Sequence, residues 1–214
     1  DHRDLHSFPT RRSSDLIKVL FLGDTKVGKS SLINTYFGNE FDPYMYTSNT
    51  YDYFVKKITK EDKSYSFKIF GMPGSERFRN MIRPNLRQAK IIVLVFDMTD
   101  KKTFLELDYI LEIVHENLGN NKFNFILVGN KADLIDQRKV KEEDCKKFAE
   151  ILGAKFFLSS AKSQFYEFRE FLTGYFEEFI EANKDELINN RNNNNQQRIL
   201  LNDNRRRRRN NNTC

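Results

Sequence analysis

The chain has no tryptophan, only two cysteines and only three histidines among its 214 residues. Two of those histidines, His2 and His6, fall in a segment set aside below, which leaves His115 alone. Cys145 and Cys214 imply no disulfide framework, and one histidine without Cys or His companions supports neither a zinc site nor a histidine-dependent hydrolase triad. No run of eighteen apolar residues occurs, so no stretch is long enough for a helix to cross a bilayer. Cys145 shares a helical face with Phe148, Ala149 and Leu152 and reads as a small core residue. His115, in a helical stretch, reads as a surface residue.

The charge is unevenly distributed. The chain totals +6, but residues 183 to 214 hold eight Lys/Arg against three Asp/Glu, and the body before them is close to neutral. From Asn183 the composition turns to Asn, Gln and Arg, with little apolar content except Ile199–Leu201, which reads as a disordered tail. The first sixteen residues, Asp1 to Leu16, match one reading frame of a common short-read sequencing adapter codon for codon. The competing reading is an Arg-rich targeting arm; the codon match favours the adapter, and the segment is excluded from fold and function. A native chain starting slightly upstream of Ile17 is expected, with one domain over residues 17–182.

The octet Gly23-Asp24-Thr25-Lys26-Val27-Gly28-Lys29-Ser30 fits the phosphate-loop pattern GxxxxGK[ST]. A polyphosphate concentrates negative charge and needs backbone N–H groups aimed inward with no side chains in the way, which Gly23 and Gly28 allow. Lys29 adds a cation for the outer phosphates, Ser30 offers a hydroxyl to Mg²⁺, and the helix they open presents its positive dipole end. An accidental Gly-Lys turn is the bland alternative. The context opposes it, because Ile17–Leu22 reads as a buried strand and Ser31–Phe37 as the first turns of a helix.

Strands then alternate with helices. Residues 51–59 and 64–70 read as a strand pair joined at a Lys-Glu-Asp-Lys turn, and 91–96 and 123–128 as buried strands; helices are expected near 102–118, 141–152 and 165–182. This is a doubly wound α/β pattern, in which ligands lie at the carboxyl ends of the strands. Strand 123–128 runs into Gly129-Asn130-Lys131-Ala132-Asp133-Leu134. An Asp there can accept from the N1–H and exocyclic amine of guanine, a donor pair that adenine does not present, while Asn130 and the Lys131 stem hold the base and the loop. Further on, Ser159-Ser160-Ala161-Lys162 follows another short strand, and the Ala161 N–H is placed to reach the base oxygen.

With these motifs in this order, the chain resembles the Ras-superfamily small GTPases, most nearly the Rab group, over residues 17 to 182. Ser75-Glu76-Arg77-Phe78-Arg79 and Phe96-Asp97-Met98-Thr99-Asp100 are Rab-like in particular. The resemblance implies a mostly parallel six-stranded sheet with helices on both faces. It implies GTP/GDP and Mg²⁺ as ligands, with Gly23 to Ser31 wrapping the phosphates and metal, and Gly74 meeting the γ-phosphate. Phe41 would pack against the base, and Asn130, Lys131, Asp133, Ser160, Ala161 and Lys162 would bind guanine. It further implies a switch in vesicle-mediated transport, served by effectors, exchange factors and GTPase-activating proteins on the cytoplasmic face of intracellular membranes.

The departures carry as much weight. The family's Asp-x-x-Gly-Gln segment reads Gly71-Met72-Pro73-Gly74-Ser75, so no catalytic group is intact: Gly71 cannot hold a magnesium-bound water, and Ser75 is too short to orient an attacking one. Mg²⁺ should rest on Ser30 and on Ser48 or Thr47, and hydrolysis should be slow; a pseudo-GTPase scaffold that never cycles is the alternative. Lys26 adds a cation where relatives commonly have a small residue. Arg205–Arg209 followed by a terminal Cys214 resembles the prenylated, membrane-attached ends of Rab proteins, although Asn211 stands where a prenylation box would place its cysteine. The Arg run has no interleaved aromatics and the body offers no basic face, so nucleic acid is not an expected partner.

Overall fold

The computed structural model describes residues 16–45, 52–117 and 122–189. Its strands are β1 Leu16–Leu22, β2 Asp52–Lys60, β3 Lys63–Gly71, β4 Ala89–Asp97, β5 Asn124–Asn130 and β6 Lys155–Leu158. Its helices are α1 Lys29–Tyr36, α2 Ile82–Leu86, α3 Lys101–Glu116, α4 Glu142–Leu152 and α5 Phe165–Ala182. The six strands form one sheet in the order β2-β3-β1-β4-β5-β6, parallel throughout except that β2 runs antiparallel to β3. The expected doubly wound, mostly parallel sheet is what the chain forms.

The apolar runs explain the two layers. Successive strand side chains point to opposite faces, so a continuous apolar strand must be covered on both. In β4, Ile91, Val93 and Val95 join the core built with α1 and α5, while Ile92, Leu94 and Phe96 join the core built with α2, α3 and α4. Phe67 of β3 stacks on Phe176 of α5 at 4.1 Å and 14°, a pair worth about 1 kcal/mol beyond the area it buries. Cys145 is fully buried under α4, and burial pushes its thiol up to about 12. His115 is exposed on α3. Both residues are where their patterns put them.

Between β2 and β3 the chain turns on Glu61 and Asp62, whose φ values of 49° and 59° are both left-handed, as in the two-residue turns that match strand twist. That turn sets the register of the pair, from Lys60 opposite Lys63 to Asp52 opposite Gly71.

Three differences from the sequence expectations have local causes. Helix α2 was not anticipated, because it is only five residues long and contains Pro84. β1 begins at Leu16, the last residue of the segment set aside, which pairs with Ser66. The disordered tail expected from Asn183 does not begin there: residues 184–189 are helical, Leu187 enters the α5-side core at 8% exposure, and Lys184 and Glu186 pair with Glu61 and Lys90 at 2.7 Å. Leu187 and Ile188, alone in a stretch of Asn, Lys, Asp and Glu, were too sparse a pattern to signal this. Arg205–Arg209 and Cys214 lie outside the described residues.

Candidate functional site

The chain reverses its winding about β1, which sends β3 to one side and β4 to the other, and ligands of such sheets bind where the strand order reverses. A cavity of about 530 Å³ opens there, walled by the segments that leave β1, β3 and β5. It gathers residues from Thr25 to Ser31, Phe41 to Met45, Gly71 to Gly74, Asn130 to Leu134 and Ser160 to Lys162. Every phosphate-loop residue from Thr25 to Ser31 except Val27 lines it, and so do Phe41, Gly74, Asn130, Lys131, Asp133, Ser160, Ala161 and Lys162. Gly23 and Val27 are buried behind the loop, and Asp24 uses its Oδ1 to accept from Thr25 N at 2.6 Å. Thr47 and Ser48 lie outside the described residues.

The loop between β1 and α1 is shaped by close approaches. A Cβ on Gly23 would stand 2.0 Å from the Val95 carbonyl oxygen, and one on Gly28 would stand 2.2 Å from Asn130 Nδ2, so neither position admits a side chain. Gly28 also needs φ of 96° to start α1. Lys29 follows with 7% exposure, its Nζ donating to the Gly23 and Asp24 carbonyls at 2.9 and 2.6 Å. Burial drives its pKa down to about 8, and Asp24 and Asp52 restore only part of the shift. A buried ammonium held by neutral carbonyls is short of negative charge, and a polyphosphate supplies it. Lys26 is exposed on the cavity rim with a left-handed φ of 61°.

The opposite end is knit together. Asn130, 2% exposed, donates from Nδ2 to the Val27 carbonyl at 2.8 Å and accepts at Oδ1 from Ala161 N at 3.2 Å. One amide thus joins the phosphate loop, β5 and the loop after β6. The Ala161 N–H, which the sequence placed against a base oxygen, faces Asn130 in this arrangement. Ser160 Oγ accepts from the N–H groups of Lys162 and Ser163 and shapes that loop. Lys131 has φ of 60°, and its Nζ reaches Asp97 Oδ2 at 2.6 Å. Asp97 is itself fixed by Thr99, whose N–H and hydroxyl donate to Oδ1 at 2.8 and 2.7 Å. Sequence reasoning noticed the segment holding Asp97 but gave that residue no role; its place at the end of a buried strand was the available signal.

Between these ends lies Gly71–Ser75. A Cβ on Gly74 would come within 2.3 Å of the Asp24 carbonyl carbon and 2.4 Å of Thr25 N, so this segment closes directly onto the phosphate loop. Ser75 Oγ is buried with no hydrogen-bond partner among the described residues. Phe41 packs half-buried against the α1 side of the core.

This donor set fits a nucleoside polyphosphate with a divalent ion: an under-neutralised lysine, a side-chain-free cradle, the Ser30 hydroxyl, and a carboxylate at Asp133 on the cavity wall. Among the described residues no three His, Cys, Asp or Glu side chains cluster as a metal site of their own, so a divalent ion here would be shared with phosphate oxygens, as Mg²⁺ commonly is. When bound, it would neutralise charge between the outer phosphates.

Comparison with known proteins agrees with this geometry. Residues 18–180 match the model of the Ras family. The chain is 36% identical over 154 residues to the GTP-binding protein ypt2 of Schizosaccharomyces pombe, covering 72% of this chain and 76% of that protein. It is 33% identical over 156 residues to Ras-related protein Rab-27B of Rattus norvegicus, covering 68% and 72%. Over 148 residues it is 33% identical to Ras-related protein SEC4 of Saccharomyces cerevisiae, covering 69% and 68%.

Proposed function

The chain belongs to the Ras family, among its Rab-like small GTP-binding proteins, and from that premise we propose that it is a GTP/GDP switch of vesicle-mediated transport that turns off slowly. The observation that carries the switch reading is the Asn130 amide, which ties the phosphate loop to both guanine-side loops around a cavity of nucleotide size. Asp133 would select guanine, Lys29 and the loop N–H groups would hold the phosphates, and Phe41 would flank the base. The metal would rest on Ser30 and on Ser48 or Thr47. Effectors, exchange factors and GTPase-activating proteins are the implied partners.

Slow hydrolysis follows from what stands beside the γ-phosphate position. Ser75 replaces a water-orienting side chain, and its hydroxyl is buried rather than presented to the cavity. Unassisted relatives turn over at about 10⁻⁴ to 10⁻³ s⁻¹, and this chain should fall below that range. Equilibrium binding of labelled GTP and ATP by residues 17–214 tests the first claim: strong preference for GTP supports it, and equal or absent affinities sink it. Single-turnover hydrolysis tests the second. A rate within the relatives' unassisted range removes the slow-switch reading, and GTP bound but never cleaved establishes the pseudo-GTPase alternative.

The remaining chain is assigned from its sequence alone. Residues 1–16 are adapter-derived, and the tail with Arg205–Arg209 and Cys214 attaches to an anionic membrane surface through one lipid chain and a basic patch. Intact-mass measurement of the protein from its own cells decides the lipid: an unmodified Cys214 thiol eliminates it.

A further inference from the structure

The pattern GxxxxGK[ST] leaves position 26 open, so the loop itself does not demand a lysine there. Lys26 is held at a left-handed φ of 61°, a conformation that costs a residue other than glycine free energy and persists only where its surroundings fix it. They fix it from both sides. Lys29 Nζ holds the Gly23 and Asp24 carbonyls at 2.9 and 2.6 Å, and Asn130 Nδ2 holds the Val27 carbonyl at 2.8 Å. Residue 26 is thus pinned between Thr25, whose N would stand 2.4 Å from a Cβ on Gly74, and Val27, which Asn130 ties to the guanine side. Lys26 lines the cavity and is exposed at its rim. Other cavity lysines are committed or distant: Lys29 to its carbonyls, Lys131 to Asp97 at 2.6 Å, and Lys162 to the loop after β6. Among the described residues Lys26 has no hydrogen bond or ion pair.

We infer that the Lys26 side chain is a second phosphate-binding cation, folding over the inner phosphates of the bound nucleotide from the solvent side, opposite the buried Lys29. This rests on the GTP-binding reading above and deepens it. Lys26 stands midway between the Gly74 end of the loop and the Asn130 end, so it meets phosphates that GDP and GTP share. A lysine carries a compact charge on a flexible four-carbon stem and needs no fixed geometry to reach a phosphate oxygen. With no partner to leave, it gains one when the ligand arrives. Its pull stays in contact with water and is therefore weakened by salt. It also acts on the phosphates directly, so it retains nucleotide without passing through the metal, beside a position 71 that carries no carboxylate.

The test follows dissociation of fluorescent GDP, and of a fluorescent non-hydrolysable GTP analogue, from the full chain, with excess Mg²⁺ and again in a chelator. Lys26→Met keeps the stem and the backbone strain and removes the charge. It speeds release of both nucleotides about tenfold, the lower end for a bond to a charged group. The difference persists in the chelator and shrinks as KCl rises from about 0.05 to 1 M. Lys26→Arg restores slow release, and Lys147→Met, exposed on α4, leaves release unchanged. An unmoved Lys26→Met rate overturns the inference while leaving nucleotide binding intact. So does a difference confined to the triphosphate, one that needs Mg²⁺, an Arg variant as fast as the Met variant, or a Lys147→Met effect of the same size, which would reduce it to net charge. Thermal unfolding of the nucleotide-free chain is the same for wild type and Lys26→Met; a lowered midpoint assigns the faster release to the fold and refutes the inference. A wild type that holds no guanine nucleotide overturns the GTP-binding reading, and this inference with it.

Discussion

At the guanine end of the cavity the polar groups satisfy one another: Asn130 bridges Val27 and Ala161, Ser160 caps its own loop, and Lys131 is anchored on Asp97. At the phosphate end they do not. Among the described residues Lys29 has only backbone carbonyls as hydrogen-bond partners and Ser75 Oγ has none, and position 71 carries no side chain at all. The Asn130 end is therefore preorganised by the chain itself, while the Lys29 end is left open to completion by a ligand's charge. An end built from mutual contacts should fail on truncation, and an end awaiting a ligand should respond to charge, pH and ligand loading.

The sharpest break of that contrast is Asn130→Ala. It leaves a buried carbonyl and a buried N–H unpaired, costing about 3 kcal/mol in urea unfolding and about 100-fold or more in GDP dissociation. A loss below about 1 kcal/mol would mean the guanine end is not held together by that amide. The phosphate end is read next, through pH. The Lys29 pKa falls from an ordinary 10.5 to about 8 in the folded chain, so between those values the unfolded chain binds more protons. Stability of the nucleotide-free protein should then rise through that window, by roughly 1 kcal/mol per pH unit relative to Lys29→Met, and the contribution is absent below pH 8. GDP loading should shrink the rise, since bound phosphates keep Lys29 charged. Ser75→Gln should raise single-turnover hydrolysis about tenfold, roughly 1.4 kcal/mol of barrier; no change would place the defect elsewhere. Lys26→Gly is the smallest, relieving a left-handed φ for about 1 kcal/mol or less in thermal unfolding.

How far the site could be read from sequence divides along the same line. The phosphate loop, the Asn130–Asp133 segment and Ser160–Lys162 are contiguous motifs, and each lies on the cavity because short loops must follow the strands that end there. Buried strands such as β4 were legible because both faces are apolar. Helix α2 was hidden by Pro84 in five residues, and the helical turn at 184–189 by having one leucine to bury. The apposition of Asp52 and Gly71 was invisible as a motif, being nineteen positions apart in the chain. It was nonetheless computable from the Glu61–Asp62 turn, since counting outward equally on both strands pairs them. The departures at Gly71 and Ser75 were read as two losses, of a carboxylate for a metal-bound water and of a water-orienting side chain; the structure adds that the Ser75 hydroxyl is buried.

The ion pairs of Lys60 with Glu181 and of Lys184 with Glu61 moor the end of α5 and the turn after it beneath the β2–β3 hairpin, at the edge of the sheet remote from the cavity. These exposed, solvent-screened bridges contribute little stability, but they give the molecule a polarity. Residues 190–214, which lie outside the described residues, follow directly on this moored turn. The ion pairs thus fix the end of the described chain at the opposite end of β3 from Gly71, which lines the cavity.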